Sequence, residues 1–258
     1  MTFEVAVILL GAMAGGFVNG LTGFGTGMMA MPIWLWALSP VLAAQLAAAA
    51  SVAGQLTTLP AIWPLIRLRV VAPYVIAGLV GMPIGVWLLP RLDATAFKLG
   101  VGTLIVTYCA IMQFAAHRLR VNRSSVIAEA LVGFSGGVGG GIAGLAGPPL
   151  IVWASSRGMS KDDKRALFQA FNLTILAAML VASAAAGLIG RAFFQTVLVS
   201  LPATLISARL GHWVYARLNE RRFDALVLAL LAVSGLLLIA ANVGSWFSGF
   251  QPLGQIRN

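Results

Sequence analysis

Residues 5–66 read VAVILLGAMAGGFVNGLTGFGTGMMAMPIWLWALSPVLAAQLAAAASVAGQLTTLPAIWPLI, without one Asp, Glu, Lys or Arg. At roughly 20 residues per helical pass, that stretch crosses a bilayer more than once. The rest of the chain continues in kind. Across 258 residues, hydrophobic types supply 60% and charged types 9%, against roughly 45–50% and 25% in soluble domains, and mean hydropathy is +0.94. So few charges cannot clothe a water-facing surface of this size, and the chain reads as an integral membrane protein. Long Ala/Leu/Gly runs without short alternating segments predict helices and no barrel. The start, MTFEVAVILL, carries Glu4 and no basic region, so it reads as a membrane element, not a cleaved signal.

The apolar runs cover residues 5–18, 27–38, 41–63, 71–90, 95–115, 125–142, 148–156, 165–188, 192–210 and 225–247. Four of them are too short or too Gly-rich for ordinary spans. Runs 5–18 and 27–38 flank Asn19-Gly20-Leu21-Thr22-Gly23-Phe24-Gly25-Thr26-Gly27. Runs 125–142 and 148–156 carry Gly136-Gly137-Val138-Gly139-Gly140-Gly141 and then Gly147-Pro148-Pro149. Gly costs about 1 kcal/mol and Pro about 3 kcal/mol in a helix interior, so both regions predict broken helices. Such breaks persist in a bilayer where protein or a polar cavity satisfies the freed backbone.

A shift of 117 positions lays Gly16-Phe17 on Gly133-Phe134, Gly20 on Gly137, Gly23 on Gly140 and Pro32 on Pro149. Three long apolar runs follow each break. The expected architecture is all-α and polytopic: two homologous halves, 1–116 and 124–258, joined by a basic loop at 117–123. Charge decides how each broken element sits. If each crosses the membrane, the Lys and Arg residues divide almost evenly between the two sides. If each is a re-entrant hairpin, 13 of the 17 fall on one side and only Arg91, Lys98, Arg191 and Arg257 on the other. The positive-inside bias favours the hairpins, with both termini periplasmic and three true spans per half. An odd number of spans makes the halves inverted repeats, a plan common among transporters. The net charge of +10 then belongs to cytoplasmic loops facing membrane lipids, and no nucleic-acid partner is expected.

The breaks are the strongest functional signal. Neither ends in Gly-Lys-Ser/Thr, so neither is a phosphate loop. A break exposes N–H groups at the start of the next half-helix, near Thr26-Gly27 and Gly147, and a helix N-terminus suits an anion. Tight helix packing through small residues is the competing account of the same glycines. Asn19, Thr22, Thr26 and Ser135 can donate to oxyanion oxygens. Gln45, Gln55, Gln169 and Asn172 lie inside apolar helices, where an amide needs a partner; a ligand or a neighbouring helix can supply it. Glu129, early in the fifth element, is the one carboxylate clearly able to enter hydrocarbon, either to relay a coupling proton or to pair with Arg123. Arg209, close to His212, reads as snorkelling to the interface, with anion attraction as the alternative. Met28, Met29 and Met31 lack an accompanying His and read as packing; no metal or other cofactor is expected. Cys109 stands alone in an apolar run.

Gly16-Phe17-Val18-Asn19-Gly20-Leu21-Thr22-Gly23-Phe24-Gly25, the second copy from Gly133 to Pro149 and the two-half layout resemble the TauE/SafE family, bacterial inner-membrane permeases also called sulfite exporters or anion permeases. The resemblance covers nearly the whole chain. It implies secondary transport of a small sulfur-containing or organic anion such as sulfite, thiosulfate, a sulfonate or sulfoacetate, with a proton or sodium ion as a possible coupling partner. It places the two glycine motifs at Gly20, Gly23 and Gly25 and at Gly137, Gly140 and Gly144, with Pro32 and Pro149 after them. Thr22, Phe24 and Thr26 depart from the more Gly-dense family pattern and leave the substrate open. No ATP-binding motif is present, so alternating access would draw on an ion gradient or on the substrate's own. An anion channel and an assembly protein without transport are the rivals. An enzyme is disfavoured by two distant His residues and few acids.

Overall fold

A computed structural model describes residues 2–22, 24–115, 125–215 and 217, with isolated positions between 229 and 242. Gly23, the 117–123 loop and most of the last apolar run lie outside the described residues. The elements follow the expected order. Helices α1 (Thr2–Thr22) and α2 (Thr26–Trp34) are followed by α3 (Pro40–Ile62), α4 (Leu68–Leu88) and α5 (Ala94–Ala110). Then α6 (Val126–Ala143) and α7 (Pro148–Ser156) precede α8 (Lys161–Ala185) and α9 (Arg191–Tyr215). Among the described residues, seven helices are long and apolar enough to cross a membrane: α1, α3, α4, α5, α6, α8 and α9.

Local chemistry sets the boundaries. Ser39 caps α3 by accepting the Leu42 N–H at 3.4 Å, with Pro40 in the first turn. Asp93 caps α5 through two 2.9 Å bonds from the N–H groups of Thr95 and Ala96. Ser160 caps α8, accepting the Asp163 N–H at 3.1 Å. Each satisfies a donor that the first helical turn leaves free.

Two sequence expectations are corrected. The element expected at 5–18 runs to Thr22, about 31 Å of helix, so Asn19 and Gly20 are helical and not part of a loop. The Gly-dense run 136–141 is continuous helix within α6. Its propensity cost is offset because Gly lets backbones meet. A Cβ at Gly133 would strike Tyr74 backbone, one at Gly137 the Gly78 carbonyl, and one at Gly141 the Met82 carbonyl. Gly81 and Gly85 of α4 face Phe134 and Val138 carbonyls in return. The seam between α1 and α9 is built likewise, with Gly16 against Thr204, Gly20 against Ala208 and Gly211 against Phe17. At these positions the packing account of the glycines holds.

α2 runs back along α1. The Trp34 indole N–H donates to the Ile8 carbonyl at 3.0 Å, and Gly15 faces Ala30 and Thr26. α7 begins to return along α6 in the same way, placing Leu150 and Ala146 against Gly136. α3 and α8 pack on each other at the centre, with α4 against α8 and α9 against α3. The core gathers Trp34, Met28, Met31, Leu46, Leu150, Phe171 and Met179, each 0–2% exposed; the methionines of α2 are packing residues.

Candidate functional site

The true breaks are short. At the first, Gly25 adopts φ 87°, ψ 4°, a left-handed conformation that only Gly enters without strain. The Thr22 hydroxyl donates to the Val18 carbonyl at 2.9 Å and accepts the Phe24 N–H at 3.1 Å, so its oxygen holds the turn. At the second, Gly144 adopts φ 64°, ψ 19°. Its N–H bonds to the Gly140 carbonyl at 2.9 Å and the Leu145 N–H to the Gly139 carbonyl at 3.2 Å, a helix end of the αL type. Pro148 and Pro149 then start α7, where the missing N–H groups cost nothing.

Both breaks face one cavity of about 20 Å³. Phe24, Gly25, Gly27 and Met28 form one wall, and Gly144, Leu145, Ala146, Gly147 and Pro148 the opposite one. Ser51 and Gln55 of α3 and Asn172 and Leu176 of α8 complete it. All four sit near the middle of their helices. Ser51 and Asn172 are 5% and 4% exposed, and among the described residues neither side chain has a hydrogen-bond partner. Gln169 supports the wall from behind, its amide donating to the Gln55 carbonyl at 2.9 Å. No Lys or Arg lines this cavity.

A second cavity of about 630 Å³ lies between the end of α1, the second half of α3, the start of α8 and the end of α9. Asn19, Gly20, Gly54 and Thr57 line it, together with Asp162, Arg165, Arg209 and His212. Gly54 and Thr57 lie beside Gln55, so one stretch of α3 contributes to the lining of both cavities.

The structure thus divides the residues singled out in the sequence. Gly25, Gly144 and Asn172 line the small cavity, and Thr26 is fully buried beside it with a hydroxyl that finds no partner among the described residues. Asn19 and Gly20 line the large one. Gln45 lies apart, donating to the Leu188 carbonyl at 3.1 Å. Ser135 is exposed and bonds back to the Val132 carbonyl of its own helix. Gly137 is in the seam with α4, and Gly140 sits behind the second break, where a Cβ would come within 2.8 Å of Ile175. Glu129 lies within electrostatic reach of Tyr74, whose hydroxyl accepts the Trp153 indole N–H at 2.9 Å. That places it about 22 Å along α6 from Gly144, away from both cavities. Sequence reasoning did not single out Ser51; its spacing of four from Gln55, one helical turn in an alanine-rich helix, was the available signal. Among the described residues, no three His, Cys, Asp or Glu side chains come together as a metal site.

No curated protein and no solved structure matches the chain. The model of the Sulfite exporter TauE/SafE family matches residues 7–238, which takes in both breaks, both cavities and all of the described spans but the first turn of α1. The chain belongs to the sulfite exporter TauE/SafE family, and is a multi-pass anion-transport protein of the bacterial inner membrane, not an enzyme.

Proposed function

We propose that the protein is a secondary carrier of a small sulfur-containing or organic anion of the sulfite, thiosulfate, sulfonate or sulfoacetate class, held between the two glycine breaks and passed across by alternating access. The observation that carries this reading is the pair Ser51 and Asn172, buried, unpartnered and lining the cavity on which both breaks converge. A buried polar group left unsatisfied costs about 1–3 kcal/mol, a cost that anion oxygens or an ordered water would relieve. The first turn of α2 adds the N–H groups of Thr26, Gly27 and Met28 and the positive end of its dipole. α7 adds its dipole but fewer donors, because Pro148 and Pro149 have no N–H. The hydrogen-bonding side of the site is therefore α2, with Ser51 and Asn172.

The re-entrant, inverted-repeat architecture belongs to the same proposal. α2 folding back along α1 supports it, as do the paired seams α1–α9 and α6–α4 and the α3–α8 contact at the centre. Residues 1–116 and 124–258 are then the two repeats, and the ends rich in Arg and Lys face the cytoplasm. A cavity of about 20 Å³ admits a water or two, so a four- or five-atom oxyanion enters only when the walls part. This constriction favours a carrier over an open channel. Inside-negative potential assists export of a monoanion by about 2.3 kcal/mol per 100 mV; uptake requires a coupled proton or sodium ion, and Glu129 is the carboxylate to test for the former.

Purified protein in liposomes, offered labelled sulfite, thiosulfate, sulfoacetate and isethionate with and without proton or sodium gradients, tests the reading. Saturable uptake of one of them is expected, with KM raised about tenfold or more in Asn172→Leu, the loss of one to two hydrogen bonds to a charged ligand at about 1.5–3 kcal/mol each. Folded, inserted protein that moves none of these anions refutes the assignment.

A further inference from the structure

The large cavity has a chemistry of its own that the site between the breaks does not use. Arg165 comes from the first turns of α8, and Arg209 and His212 from the last turns of α9. Two elements thus bring three basic side chains to the wall of one 630 Å³ space. Among the described residues, the Nε of Arg165 is buried without a hydrogen-bond partner and no carboxylate pairs with Arg165 or Arg209. Asp162 is the one acidic side chain among the lining residues. A guanidinium N–H withdrawn from water without an acceptor is costly, and its planar fork suits an oxyanion. Asn19 (5% exposed) lines the cavity nearer the helix break, and among the described residues its amide has no partner. Thr57 lies two residues from Gln55 of the central cavity.

We propose that this vestibule is a second anion-binding site, present on the basic face only, which captures a sulfonate or carboxylate and hands it to the breaks. Its volume accommodates an organic anion with a carbon chain, which the closed central cavity does not. Its role as a loading site rests on the carrier reading; its capacity to bind does not. The same oxyanion chemistry is offered by a free anion and by a lipid headgroup, and the vestibule is assigned to the free anion because its lining runs inward to Asn19 and Gly54, away from the membrane surface.

The test uses Thr57→Cys with Cys109→Ala, in nanodiscs of phosphatidylcholine, labelled with sulfonatoethyl or trimethylammonioethyl methanethiosulfonate. The vestibule should speed the anionic reagent over the cationic one by ~tenfold or more relative to Gly190→Cys, an exposed reference position in the turn between α8 and α9. Inorganic sulfate should slow that labelling with saturation. Arg165→Gln with Arg209→Gln should abolish both effects, and Arg165→Lys with Arg209→Lys should restore most of the rate ratio, which separates charge from folding. Equal reagent ratios at the two positions, or sulfate protection that survives the Gln variants, overturns the proposal. So does protection by phosphatidylglycerol nanodiscs with none by sulfate, which assigns the site to a headgroup. The labelling reads independently of transport: a parent protein that takes up no anion refutes the carrier reading and leaves the vestibule result standing.

Discussion

At the scale of single residues, glycines that look alike in the sequence separate into three kinds with different consequences. Gly25 and Gly144 hold φ of 87° and 64°, where an L-residue costs roughly 1–2 kcal/mol. Both also line the small cavity. Gly25→Ala and Gly144→Ala should each lower the melting temperature by a few degrees and raise KM, read by thermal unfolding and liposome uptake. Gly20 has ordinary helical backbone, but a Cβ there would enter the Ala208 carbonyl. Gly20→Ala should reduce the yield of folded protein by separating α1 from α9. Gly100 meets nothing within 4 Å, and Gly100→Ala should stabilise α5 by up to about 1 kcal/mol through helix propensity alone. The three outcomes together test whether backbone conformation, close approach or neither governs each position.

At the scale of elements, one hydrogen bond among the described residues joins α2 to α1 along their length, besides apolar packing and the Thr22 turn. Trp34 is fully buried and its indole N–H donates to the Ile8 carbonyl. Trp34→Phe removes the second hydrogen bond to a carbonyl that α1 already engages, and opens space beside Gly11, which faces the indole. A loss of about 2–4 kcal/mol is expected, combining the bond with the volume removed, measurable as earlier unfolding and faster proteolysis within the hairpin. That a short second helix returns along α1 was legible in the interrupted apolar runs. Its exact ends were not. Residues 136–141 look like a helix breaker by propensity, yet α4 presents carbonyls and glycines that make the same residues a close helix seam. The effective stop signal was Gly144 followed by Pro148-Pro149, a helix end and a helix start in the usual order. The candidate site was legible in part for the same reason. Gly25, Gly144 and Asn172 were found by local pattern, whereas Ser51 reaches the cavity through the α3–α8 packing, which no local pattern records. Gln45 and Gln169 look equivalent in sequence, but one ties a helix to the Leu188 turn and the other supports the cavity wall.

At the scale of the whole molecule, the two ends of the α3–α8 pair are unequal, and under the proposed carrier function that inequality has a direct meaning. At one end the 630 Å³ vestibule separates the end of α3 from the start of α8 and the end of α9. At the other, near the start of α3, the Gln45 amide bonds to the Leu188 carbonyl in the α8–α9 turn at 3.1 Å. On the alternating-access reading, the protein is open toward its basic face and closed on the opposite one, with the Gln45 bond as part of the closure. Removing that bond with Gln45→Ala removes about 1 kcal/mol of closure, which shifts a two-state equilibrium roughly fivefold toward the oppositely open state. A cysteine at Thr57 should then label more slowly in Gln45→Ala than in the parent, because the vestibule is closed for more of the time. Saturating anion, which either state can bind at the shared central cavity, should reduce the difference. Faster labelling in Gln45→Ala would mean that the bond holds the fold together and does not bias its two faces, and the closed end would then have to be sought among the apolar contacts of α4 with α8.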